Sequence, residues 1–124
     1  AIMFISGIDQ YLQGVLNAKV DLTTTGETTL YTAPSASLFN VSIVSSIIVS
    51  NDQGSSSTLT VTITDTASAV FNIFNVKAVA ANTSIELLTR DLVIKSGEII
   101  KVTAADANRL HVVASIQEFT KVKN

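Results

Sequence analysis

Between residues 57 and 65 apolar and hydroxyl side chains alternate without a break: Leu59, Val61 and Ile63 are interleaved with Thr58, Thr60, Thr62 and Thr64. A period of two places one set on each side of an extended chain, so this segment reads as a strand with one buried and one hydroxylated face. Threonine suits such a position because its branched Cβ fits a pleated, half-buried surface. A sheet built from segments like this must cover its apolar face with a second layer.

The same texture recurs along the chain. Residues 109–119 place Leu110, Val112, Ala114 and Ile116 on one side and His111, Val113, Ser115, Gln117 and Phe119 on the other. Both sides are partly apolar, so this strand is expected to be central or to lie at an interface. Further strands read at 18–24, 27–32, 40–50, 69–75, 83–88, 91–94 and 98–104. About eight or nine strands at roughly ten-residue spacing indicate an all-β sandwich or barrel. Turn chemistry separates them: Gly26, the run Asn51 to Ser55, Ser96-Gly97, and Asp106 to Asn108. Pro34, the single proline, falls in a connection, where its missing N–H disturbs no ladder.

One segment departs from the pattern. Ile8, Tyr11, Leu12, Val15 and Leu16 follow helical spacing, with Ser6 as a possible N-cap. Gly14 weakens that helix by about 1 kcal/mol relative to alanine. Residues 1–17 therefore read as an N-terminal arm, helical or extended, ahead of a β-domain at 18–120 and a tail at 121–124. The arm's apolar residues Ile2, Phe4, Ile5, Ile8, Tyr11 and Leu12 are expected to bind a partner subunit or, alternatively, to dock on the chain's own domain, since a greasy terminus left in water is a liability. No basic region precedes this run, and Asp9, Gln10 and Gln13 interrupt it, so it reads neither as a signal peptide nor as a membrane span.

The chain holds 124 residues, 47% of them hydrophobic, which is enough for one domain with a full core. Only 15% are charged, against about 25% in an ordinary domain. Ser and Thr, roughly a quarter of the chain, fill the polar surface instead. Hydroxyls protect poorly against association, so part of that surface is expected to be covered. The net charge is −2 and the Lys and Arg residues are scattered, which disfavours nucleic acid and anionic membranes as partners. The absence of cysteine removes disulfides, thiolate catalysis and Cys-bound metals together.

Catalytic signals are lacking. His111, the single histidine, has no nucleophile elbow or GxSxG segment to serve. The acids are dispersed and mostly sit beside turns (Asp21, Asp52, Asp65, Asp91, Asp106), the five glycines form no phosphate loop, and no cofactor is implied. The sequons at Asn40 and Asn82 are expected by chance in so Ser/Thr-rich a chain. Phe71 and Phe74 are expected in the core; the missing tryptophan argues against a carbohydrate platform.

Three stretches carry a resemblance: LTTTGETTLYTAP (22–34), VSSIIVSNDQGSSSTLTVTITD (44–65) and SIELLTRDLVIKSGEIIKVTAADANRLHVVASIQEF (84–119). Their texture and order resemble small virion proteins of tailed bacteriophages, over about four-fifths of the chain. The resemblance implies a jelly-roll-like β-sandwich without enzymatic activity, located in the virion and assembled in the host bacterial cytoplasm. It further implies self-association as a homotrimer and contact with the major capsid protein or other virion proteins. A capsid decoration (cement) protein is the leading expectation. A neck, tail or fibre-base component is the alternative, followed by a cellular carbohydrate-binding or adhesin module. The arm departs from shorter relatives, which begin near the threonine run.

Overall fold

The computed structural model describes residues 10–34 and 40–121. Nine strands occur there: β1 (Gln10–Leu22), β2 (Thr28–Thr32), β3 (Asn40–Asn51), β4 (Ser57–Thr64), β5 (Val70–Val79), β6 (Thr83–Glu86), β7 (Leu92–Lys95), β8 (Ile99–Ala104) and β9 (Leu110–Lys121). They form two antiparallel sheets. One has the order β1-β9-β3-β6, with β7 also paired to β3; the other has the order β2-β8-β4-β5.

β6 pairs with Ile48–Asn51 and β7 with Val41–Val44, so the two short strands share one edge of β3. Counted by position there are eight strands, and the chain changes sheet at most connections. This is jelly-roll connectivity, in which the first and last strands are neighbours and the free edges are limited.

The alternation read in the sequence is the cause of the core. Leu59 and Val61 of β4 and Ile100 and Val102 of β8 face Val44, Ile47 and Val49 of β3 and Leu110, Val112 and Ile116 of β9 in one fully buried cluster. The hydroxyl of Tyr31 (β2) ties the layers together. It lies 2.8 Å from Ser42 Oγ (β3) and donates to the Glu118 carboxylate (β9). Burial first, and then the adjacent Glu118, push the Tyr31 phenol well above the ordinary tyrosine range.

The arm, expected helical or extended, is extended where it is described: residues 10–16 are strand, and the boundary expected at 17/18 falls inside β1. β1 alternates from residue 15 onward, with Leu16, Ala18, Val20 and Leu22 inward and Val15, Asn17, Lys19 and Asp21 outward. Leu12 opposes Phe119 and Gly14 opposes Glu118, which makes Gln13 an extra residue at a bulge. That insertion shifts the phase by one and turns a period of two into an imitation of helical spacing. Of the tail expected at 121–124, Lys121 is the last residue of β9, and 122–124 lie outside the described residues.

Phe71, expected in the core, is instead 55% exposed on the edge strand β5. Phe74, two positions further in register along β4, does pack on the core as expected. β5 is irregular: its pairing slips twice, and Val76 adopts a φ of 53° while its amide donates to Thr60 Oγ1 at 3.1 Å. A β-branched residue at positive φ is strained, and this one marks a strand bent away from ideal pairing.

Candidate interaction face

The residues expected to bind a partner fall in two groups. Ile2, Phe4, Ile5 and Ile8 lie outside the described residues. Tyr11 and Leu12 stand on β1, opposite Thr120 and Phe119.

The larger candidate surface was only partly anticipated. It is the outer face of the β1-β9-β3-β6/β7 sheet, and its residues follow from the register. One row across the strands reads Lys19, Val113, Ile48, Glu86. Another reads Val15, Gln117, Ile43, Val93. Between them lie Asn17, Ser115 and Ser46, and beyond the first row lie Asp21, His111, Ser50 and Ser84. Val15 is 69% exposed, Val93 57%, Ile48 41% and Val113 38%, so this face offers aliphatic side chains and hydroxyls to its surroundings. The two-sided apolarity of residues 109–119 was the sequence signal for it. The contributions of β1, β3 and β7 could not be seen without the strand order.

The polar groups on this face are held from within. At the bulge between Val44 and Ser46, the Glu86 carboxylate accepts from the Ser46 hydroxyl, from the Ile47 amide at 2.8 Å and from the Leu88 amide at 3.1 Å. Partial burial opposes ionisation of Glu86, but the Ser46 hydroxyl and these amides outweigh it and keep its pKa below the ordinary glutamate range. Ser84 Oγ donates to Ser50 Oγ at 3.1 Å.

His111 sits at one end of the face in a shallow depression with Lys19, Val20, Asp21, Val112 and Val113. Its Nδ1 is 3.3 Å from Asp21 Oδ1 and its Nε2 is 3.4 Å from Asp52 Oδ2. A neutral imidazole has one N–H and can donate to one of these carboxylates at a time. Asp52 is held below the ordinary aspartate range, first by the Gln53 side-chain amide at 3.0 Å and then by His111. The two carboxylates flank opposite edges of the ring, so they do not converge on a common point with it. Among the described residues no group of three or more His, Asp or Glu side chains could hold a metal ion. Two of the other turn acids do local work: Asp65 Oδ1 accepts from the amides of Ala67 and Ala69, each at 2.9 Å, and Asp106 accepts from Ser57 Oγ at 2.9 Å.

No family model and no curated protein matches this sequence. Its fold is similar to solved structures. A chain of the T13 infectious bursal disease virus particle matches with a TM-score of 0.56 and 11% identity, over 98% of this chain and 35% of that one. The VP2 protein of the same virus, in derived T=1 particles, matches at 0.50 with 9% identity, over 100% of this chain and 45% of that one. A subunit of Bacillus endospore appendages, described as disulfide-linked pili, matches at 0.52 with 9% identity, over 99% of each chain. This chain thus spans less than half of each virus chain and nearly the whole of the appendage subunit, and what the three share with it is the all-β sandwich fold.

Proposed function

We propose that this chain is a non-enzymatic structural subunit of a virus particle, a decoration (cement) protein of a bacteriophage head that associates with copies of itself and with the major capsid protein. The observation that carries this reading is the outer sheet face. A jelly roll whose five-stranded sheet displays Val15, Ile48, Val93 and Val113 among hydroxyls, with few charges, is suited to being covered by protein. The likeness of the fold to virus-particle chains supports the same role. In this reading the homotrimer implied by the resemblance is built by a head-to-tail contact between two different patches. The residues preceding β1, with Ile2, Phe4, Ile5 and Ile8, are the arm that engages the capsid.

The full-length likeness to an appendage subunit favours a second reading, a neck, tail or fibre-base component. Disulfide linkage of the kind named for those pili is closed to a chain without cysteine.

Copurification separates the readings. Particles of the encoding virus are banded in a density gradient, heads and tails are separated, and the chain is counted by mass spectrometry. Many copies per head are expected. A few copies confined to tails would favour the second reading, and absence from particles would end both. A version starting at residue 10 keeps all nine strands and is expected to remain folded while attaching more weakly to heads; equal attachment would remove the arm from the account.

A further inference from the structure

We infer that the outer face of the β1-β9-β3-β6/β7 sheet binds the same face of a second copy of this chain, about a two-fold axis running parallel to the strands between β9 and β3. The inference rests on the self-association in the reading above, but not on location in a virion.

The first argument is charge. A two-fold axis in that position reverses the order of the strands across the interface. β1 of one copy then lies over β6 and β7 of the other, and β9 lies over β3. The row Lys19, Val113, Ile48, Glu86 becomes its own complement: a cation faces an anion at both ends, and two aliphatic side chains face two others in the middle. The other rows tolerate the same operation. Val15 meets Val93, Gln117 meets Ile43, and Asp21 and His111 meet the hydroxyls of Ser84 and Ser50. No like charges are brought together in these rows. An isologous contact demands this kind of self-complementarity, because a single patch must serve both sides.

The second argument is size. β3 and β9 are each 12 residues long. With about 3.3 Å per residue and four strand positions about 4.8 Å apart, the face covers on the order of 750 Å². A stable interface needs about 800 Å² from each partner. Two sheets packed face to face lie about 10 Å apart and cross at about 30°. Such a rotation moves the corners but leaves Val113 and Ile48, beside the axis, in contact. The contact uses the sheet face alone, so it coexists with a three-fold ring made from other surfaces and would link one ring to the next.

The test is sedimentation of the purified full chain over a wide concentration range, alongside three variants. The expected species has twice the 13.1 kDa chain mass, or an even multiple of it. Lys19→Glu sets a carboxylate against the partner's Glu86 and is expected to weaken the two-fold contact about tenfold or more. Val113→Asp is expected to abolish it, with thermal unfolding monitored to confirm a folded chain. Lys77→Glu makes the same charge change on β5, an edge strand of the other sheet and outside the proposed face, and is expected to leave association unchanged. Should Val113→Asp unfold the protein, the exposed Lys19→Glu decides alone. A dimer or trimer indifferent to Lys19→Glu would overturn this face while leaving self-association standing. A monomer at every concentration would overturn both.

Discussion

Gly97 shows how much one residue can decide. The Lys95 carbonyl accepts from the Glu98 amide at 3.1 Å, closing a turn whose third position is Gly97 at a φ of 81°. Such a turn favours glycine at that position. A Cβ there would also stand 2.9 Å from Thr66 Cγ2. Gly97→Ala is therefore expected to cost about 1–3 kcal/mol of stability, measured by urea unfolding. Ser96-Gly97 was legible as a turn from the sequence alone, because glycine carries its conformational meaning locally. Tyr31 is the opposite case. Nothing near it in the sequence announces that its hydroxyl joins Ser42 to Glu118 across two sheets. Tyr31→Phe strands both partners and is expected to cost about 1–3 kcal/mol. Because the phenol's pKa is raised in the folded state, the stability it contributes is complete below the ordinary tyrosine value of about 10 and is lost as pH rises beyond it. Ultraviolet titration should show a tyrosinate absorbance that appears only with unfolding and is missing in Tyr31→Phe.

At the scale of the element, the strands were readable wherever alternation ran unbroken. β4 and β8 match their sequence ranges to within a residue or so, and β3 and β9 are nearly as close. Alternation failed where bulges interrupt it. The extra residue at Gln13 disguised the start of β1 as a helix, and on the irregular edge strand β5 Phe71 is exposed although it opposes Ile63. The bulge of β3 recruits Glu86 from β6 to satisfy the Ile47 amide, a contact between residues 39 positions apart that no local pattern records. The folded-state pKa of Glu86 is depressed, so its contribution is present above the ordinary glutamate value of about 4.3 and disappears as pH falls below it. Glu86→Gln is expected to flatten the loss of stability between about pH 5 and pH 3, by no more than about 1 kcal/mol given its exposure. Urea midpoints across that range check it; an unchanged slope would mean the carboxylate does not hold the bulge.

The molecule as a whole could be read only to its class. An all-β sandwich followed from composition, alternation and turn spacing, while the jelly-roll order did not. It depends on pairings such as Leu22 with Leu110, which bring distant strands together and leave no periodic trace. The interaction face has the same origin: Lys19, Val113, Ile48 and Glu86 come from four separate strands, and only the register aligns them. The role we propose, a structural subunit of a virus particle whose sheet face is covered by protein, belongs to this scale. Cryo-electron microscopy of intact particles of the encoding virus, with the chain labelled, tests it most directly. The expected result is density repeated over the head lattice, with jelly rolls facing one another across local two-fold axes. Density absent from the particle would rule out the virion role, and density confined to the neck or tail would replace the decoration role with that of an appendage component.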